Sequence, residues 1–321
     1  MNILITNVSY HNAVSAIKMC RCLEDVFIIG NSKVPYGFSS GSLLVDQFIN
    51  TTDIDDGECY ISQIIKICTD YDVELIISTE DEEQKLFNKY SDYFEDKIIT
   101  VDNDLIDLFT NKQNASISVS SIGVDIPHIY NEKEIKQIKN KDIIIRENVS
   151  CCSYGIKILT NTNGEEINKN LSASSFAQAY IKGDEYTVDV LCDKYGSPKN
   201  IIPRKRIAIR NGITYKCIIE KNELLINACK KLYSHFCIPG FSNTQFIIKN
   251  GVAYFIETNL RIGGTTIASN LAGNNLMEIY IEHFFKNQPM KKSKIKWGSV
   301  ITRYYSETIF IPENKYERHY S

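Results

Sequence analysis

The chain has 321 residues, with 36 Lys and Arg against 39 Asp and Glu, for a net charge of -3. That balance gives no whole-protein case for binding nucleic acid or an anionic membrane, and 43% hydrophobic with 23% charged residues is ordinary for a globular protein of two or three packed lobes. No apolar run reaches the length of a membrane span, and Met1–Asn7 has neither a basic region nor a cleavage-site pattern, so a cytoplasmic location is expected.

The first hundred residues alternate strand and helix signals. Asn2–Thr6, Val26–Gly30, Leu43–Ile49, Leu75–Ser78 and Ile98–Val101 read as strands, and Ala13–Leu23, Cys59–Cys68 and Asp81–Lys89 as helices. Such alternation predicts an open parallel sheet covered on both faces. The turn after the first strand, Asn7-Val8-Ser9-Tyr10-His11-Asn12, lacks the glycines that a dinucleotide pyrophosphate requires, which argues against NAD. The ten cysteines include no pair of C-x₂-C knuckles and read as reduced thiols, and the five histidines show no pairing that suggests zinc.

A second unit is expected from Asp102 onward. Asp104–Gly123 reads as one helix, ended by Ile126-Pro127. Ile143-Ile144-Ile145 is a buried-strand pattern that ends in the cation Arg146, and the loop after it, Glu147–Gly155, holds one glycine. Two short strands, a helix and a strand between Ile143 and Ile181 predict a small lobe. Strands then dominate (Tyr186–Cys192, Asn200–Ile209, Thr214–Ile219), followed by a helix at Glu223–Phe236. Within Pro203-Arg204-Lys205-Arg206, strand alternation puts Arg204 and Arg206 on one side. Asn274–Phe285 reads as a helix, 287–294 as a polar linker and Ser299–Tyr305 as a last strand.

The most informative stretch is Gln245–Gly264. Two apolar runs flank Lys249-Asn250-Gly251, a hairpin signal, and the second run ends in Glu257-Thr258-Asn259-Leu260-Arg261. Alternation places Glu257, Asn259 and Arg261 on one face. Oxygen ligands beside a guanidinium suit a Mg²⁺-bound polyphosphate. A two-residue turn would set Gln245 and Glu257 on opposite faces, so a three-residue loop, Lys249-Asn250-Gly251, is expected, making them diagonal neighbours on the same face.

Gln245-Phe246 before a hairpin and Ile256-Glu257-Thr258-Asn259-Leu260-Arg261 after it resemble the ATP-grasp superfamily, most closely the large-subunit type of carbamoyl phosphate synthetase. The resemblance covers most of the chain. It implies an α/β protein: an ATP-grasp fold of two α+β lobes gripping ATP over 102–321, with a small lobe at about 142–182. A Rossmann-like parallel-sheet lobe over 1–101 precedes it and helps to bind substrate. By the same resemblance, Gln245, Glu257 and Asn259 hold Mg²⁺ (or Mn²⁺), and Arg261 contacts the phosphoryl group in flight. Lys112 sits where the family has an aspartate–lysine pair whose lysine reaches the nucleotide phosphates, although the aspartate is Asn111 here. Arg146 is the strand-end phosphate cation, and Ser153 lies in the loop that covers the phosphates.

Phe176–Val190 resembles the family's hinge. Backbone groups over Gln178, Ala179, Tyr180 and Ile181 would face adenine, and the Glu185 carboxylate would take the ribose hydroxyls. The family often has glutamate where this chain has Ala179. Arg204 and Arg206 match basic residues that face the polyphosphate or a substrate carboxylate.

The implied activity is an ATP-dependent carboxylate–amine ligase that works through an acyl phosphate and releases ADP and phosphate. Carbamoyl phosphate synthesis is not expected, because it uses two such units in a longer chain. The rival reading is an ATP-binding module without turnover. It draws on Gln245 where many ligases have a carboxylate, the glycine-poor loop and Ala179. Expected partners are a small-molecule carboxylate and an amine, with neither nucleic acid nor membrane, and a homodimer is the default assembly.

Overall fold

Short apolar runs separated by amphipathic helices fold in the computed structural model as a parallel sheet. All residues are described except 95, 151–154, 211, 274, 305 and 312–321. The strands are β1 (Asn2–Ile5), β2 (Phe27–Ser32), β3 (Gln47–Asn50) and β4 (Leu75–Ile77), in the order β3-β2-β1-β4. Side-chain alternation divides β1 between two cores. Ile3 and Ile5 pack with Ala13, Ala16 and Ile17 of helix α1 (His11–Cys20). Leu4 faces the other way, toward Tyr60, Ile61 and Ile64 of α2 (Glu58–Asp70) and Phe87 of α3 (Asp81–Lys89). Because β2 and β4 flank β1 on opposite sides, the loops after β1 and β4 emerge together at the carboxyl edge of the sheet.

Two strand expectations fail in this lobe. Leu43–Ile49 divides into a 3₁₀ turn at Ser40–Leu43 and the shorter β3. Ile98–Val101 forms no strand, because its backbone groups are engaged elsewhere. The Ile98 N–H reaches the Phe94 carbonyl at 3.2 Å, and the Val101 N–H reaches the side-chain oxygen of Gln84 at 3.0 Å.

The helix expected over 104–123 is broken in two, α4 (Asn103–Thr110) and α5 (Lys112–Ser121). Asn111 leaves the helical conformation and caps α5 by accepting from the Asn114 N–H at 3.0 Å. After α6 (Glu132–Gln137), a small sheet in the order β6-β5-β7 contains β5 (Lys141–Glu147), β6 (Lys157–Thr162) and β7 (Ser175–Ala179). Ile143, Ile145 and Ala177 pack on Ile167 of α7 (Gly164–Asn170) and on Ile135 of α6.

The large antiparallel sheet has the order β12-β11-β8-β9-β10-β13. Its strands are β8 (Asp184–Cys192), β9 (Pro198–Arg210), β10 (Ile213–Ile219), β11 (Gly240–Lys249), β12 (Val252–Asn259) and β13 (Val300–Thr302). One face is apolar. Val188, Val190, Phe246 and Phe255 pack against Leu225, Cys229, Leu232 and Tyr233 of α8 (Glu223–Phe236). Residues of odd number on β8 and β11, among them Thr187, Asp189, Asn243 and Gln245, face the other way.

The β11–β12 turn differs from the expected three-residue loop. Lys249 pairs with Val252, so the loop is Asn250-Gly251 alone, with φ of 51° and 77°, the left-handed pair of a type I′ turn. That turn by itself would set Gln245 against Ile256. A β-bulge intervenes: Phe246 pairs with Phe255 but Gln245 pairs with Glu257. The extra residue, Ile256, reverses the facing of everything beyond it. Phe255 lies in the core and Glu257 on the polar face, although they are two residues apart. After β12 come α9 (Thr266–Ala272), which was not anticipated, and α10 (Leu276–Phe284). No helix among the described residues is long and apolar enough to cross a membrane.

Candidate functional site

The bulge brings Gln245 and Glu257 face to face, directly opposed rather than diagonal. Gln245 donates from Nε2 to Glu257 Oε1 at 2.8 Å. Its own oxygen accepts from Arg206 Nη1 at 3.2 Å. With the amide turned this way, its nitrogen lies against Glu257, and a metal shared by the two side chains requires the amide to rotate by half a turn. The set has the right chemistry for a hard divalent ion, one carboxylate and two amide oxygens. Among the described residues there is no cluster of three or more His, Cys, Asp or Glu, so these side chains would share the metal with phosphate oxygens.

Arg146, at the end of β5, crosses from the small sheet to the same carboxylate. It donates from Nη1 to the Ile256 carbonyl at 3.0 Å and from Nη2 to Glu257 Oε2 at 3.3 Å. The Arg146 side chain is 5% exposed. Burial pulls its pKa down, and the Glu257 charge opposes that shift. Arg206 is held from three sides, by Gln245, by Glu185 Oε2 at 3.5 Å and by the Gly212 carbonyl at 2.7 Å. Burial lowers its pKa too, with Glu185 and Glu257 opposing.

Asn259 and Arg261 continue the row. Asn259 donates from Nδ2 to Asn243 Oδ1 at 3.2 Å and accepts from Arg261 Nη2 at 3.5 Å. Arg261 Nε lies 3.6 Å from Asp81 Oδ1, a contact between the large sheet and the parallel-sheet lobe.

Arg204 stands apart from this row despite sharing a strand face with Arg206. It is 1% exposed and forms a two-point pair with Asp189, Nε to Oδ2 at 2.6 Å and Nη2 to Oδ1 at 3.3 Å. Asp189 also accepts from Thr266 at 2.8 Å and Ser269 at 2.5 Å, which ties α9 to the middle of the sheet. Arg204 is thus engaged in a packing network, where one partner of a buried ion pair cannot be removed cheaply. Sequence reading passed over Asp189, Asp81 and Asn243. Only Asp189 left a signal, as a charge inside the apolar run Val188–Cys192.

Lys112 opens α5 and is 8% exposed, and its ammonium reaches the Ser150 carbonyl at the start of the loop expected to cover phosphate. Ser153 lies outside the described residues. At the hinge, Gln178 is buried and donates weakly to the Pro127 carbonyl at 3.5 Å. The N–H groups of Ala179 and Tyr180 are bonded to the carbonyls of His128 and Asp142 at 2.8 and 3.1 Å. Adenine contacts at the hinge therefore cannot use those two N–H groups. Ile181 follows where β7 has ended, and Glu185, on β8, keeps an exposed carboxylate beside Arg206.

The arrangement joins a mostly antiparallel two-lobe grip to a parallel-sheet lobe, with cations from both sheets converging on one carboxylate. Residues 174–305 match the family described as "ATP-grasp in the biosynthetic pathway with Ter operon". The D-alanine–D-alanine ligase of Fusobacterium nucleatum is 27% identical over 167 residues, which is 48% of this chain and 57% of that protein. The chain thus spans little more than half the length of that curated relative. The biotin carboxylase domain of Hydrogenobacter thermophilus 2-oxoglutarate carboxylase, in complex with MgADP, ADP and bicarbonate, superposes with a TM-score of 0.71 at 16% identity, covering 93% of this chain and 73% of that one. N5-carboxyaminoimidazole synthetase from Staphylococcus aureus complexed with ADP superposes with a TM-score of 0.71 at 14% identity, covering 94% and 81%. Residues 174–305 thus match an ATP-grasp family, and the chain as a whole shares the fold of these two structures.

Proposed function

We propose that this protein is an ATP-dependent carboxylate–amine ligase. A substrate carboxylate oxygen attacks the γ-phosphorus of ATP, the bond to the β,γ-bridging oxygen breaks, and ADP leaves. An amine then attacks the acyl carbon, phosphate departs, and an amide forms after loss of the amine proton. The observation that carries this reading is the convergence of Arg146, Gln245 and Arg206 around Glu257, with Asn259 and Arg261 beside it. Phosphoryl transfer requires mainly positioning and charge neutralisation, and this set supplies both without a side-chain nucleophile.

Gln245, Glu257 and Asn259 would hold Mg²⁺, which, when bound, neutralises phosphate charge. Arg146 and Lys112 would anchor the phosphates, Arg206 would bridge the metal side chains to Glu185, and Glu185 would accept from the ribose. Arg204 contributes through Asp189 and α9 rather than by reaching substrate. In this reading residues 1–101 form the substrate-binding lobe and 102–321 the nucleotide grip, with the small lobe at about 142–182 closing over ATP. The similarity to a D-alanine–D-alanine ligase supports an acid and an amine as the two substrates. A screen of carboxylic acids with hydroxylamine as the amine tests the proposal. Acid-dependent release of ADP supports it, whereas tight MgATP binding with no release under any acid favours the inert module.

A further inference from the structure

The first turn of α3 meets the chain where it carries Arg261. Gln84 donates from Nε2 to the Leu260 carbonyl at 2.8 Å while its oxygen accepts from the Val101 N–H, so it pins Leu260 to the parallel-sheet lobe. Asp81, one turn earlier, stands 3.6 Å from Arg261 Nε. Its Oδ1 is buried and has no hydrogen-bond partner among the described residues, so the long ionic contact is what that atom has. Burial raises the Asp81 pKa, and Arg261 and the Leu260 N–H hold the shift back. Arg261 directs Nη2 toward Asn259 Oδ1. A guanidinium held at Nε presents its paired Nη groups on the opposite edge, the edge that grips phosphoryl oxygens in a bidentate manner.

We propose that Asp81 is the positioning residue for Arg261, holding Nε so that the Nη edge faces the transferred phosphoryl group. The assignment rests on the phosphoryl-transfer reading above. It gives the parallel-sheet lobe a part in the chemistry, because α3 supplies the anion and the segment just after β12 supplies the cation. Asp81 makes no contact with the reacting atoms in this account and acts only through Arg261.

The test uses the full chain as wild type, Asp81→Asn, Asp81→Glu, Arg261→Ala and the Asp81→Asn/Arg261→Ala double variant. The ligands are MgADP alone and MgADP with aluminium fluoride, which mimics the phosphoryl group in flight. Asp81→Asn should weaken the aluminium fluoride complex about tenfold while changing MgADP affinity less than about twofold. Asp81→Glu should recover part of the loss. In the Arg261→Ala background, Asp81→Asn should add nothing, because its effect passes through the missing side chain. Losses that simply multiply, or an Asp81→Asn variant indistinguishable from wild type, would overturn the assignment alone. A wild-type chain whose MgADP affinity gains nothing from aluminium fluoride would remove the phosphoryl-transfer reading and this assignment with it. Should Asp81→Asn fail to fold, Asp81→Ser makes the same comparison.

Discussion

Glu257 supplies the only carboxylate among the three candidate metal ligands, and its two oxygens already face Gln245 and Arg146 at 2.8 and 3.3 Å. Replacing it with glutamine keeps the shape but removes the charge and turns one of the two accepting oxygens into a donor. Under the proposed function, Glu257→Gln should lower the rate of ADP release about a thousandfold at saturating Mg²⁺, with cooperative unfolding preserved. Retention of a tenth of the activity would remove Glu257 from the metal site. Arg146 carries a different load, since it joins β5 of the small sheet to β12 of the large one. Arg146→Ala should raise the Michaelis constant for ATP and also lower the unfolding midpoint, because Glu257 and the Ile256 carbonyl each lose a donor. A normal Michaelis constant with a lowered midpoint would make Arg146 a purely structural tie.

At the scale of elements, the β11–β12 hairpin decides where the site lies. Gly251 has φ of 77° and open space where a Cβ would go, so a substitution there acts through backbone strain alone. Gly251→Val should destabilise by about 1–2 kcal/mol in denaturant unfolding, whereas Asn250→Gly should be nearly neutral. A neutral Gly251→Val would mean that the turn is not of this type. Helix α3 offers a pH test. Glu83 is 1% exposed and accepts from Thr6, Tyr60 and Ser78, and burial pushes its pKa up to about 7. An acid whose folded pKa exceeds its unfolded value contributes stability below the unfolded pKa, and that contribution is lost as pH rises through the folded one. The melting temperature of the wild type should therefore fall relative to Glu83→Gln between about pH 4.5 and 7. A constant difference across that window would show that Glu83 stays charged.

The same hairpin shows how far the sequence could be read. Polar residues alternating at 257, 259 and 261, where β12 ends, with a glutamine on the preceding strand, announce a shared face, and that face exists. The bulge that forms it is not legible in sequence, because a bulge adds a residue without disturbing any local propensity and Ile256 looks like any other strand residue. The Asn111 break and the missing strand at Ile98–Val101 have a related cause: in both, a side-chain amide engages backbone N–H groups that regular structure would use. Arg204 and Arg206 were indistinguishable in sequence. Only the partners, Asp189 for one and Gln245 with Glu185 for the other, separate a packing arginine from one that faces the site.

For the molecule as a whole, the parallel sheet, the small sheet and the large sheet each send side chains to one place: Asp81 from α3, Arg146 from β5, and Gln245, Glu257 and Arg206 from the large sheet. If Arg146, Arg261 and the metal ligands Gln245, Glu257 and Asn259 gather at the β- and γ-phosphates with adenosine held at the Gln178–Glu185 hinge, the γ-phosphorus is the one presented to a carboxylate. An adenylating enzyme would instead present the α-phosphorus, with pyrophosphate leaving. The central measurement follows ¹⁸O from a labelled carboxylate during turnover with hydroxylamine. The account predicts hydroxamate and ADP in equal amounts, with the label in orthophosphate. Label in AMP, with stoichiometric pyrophosphate, would contradict it.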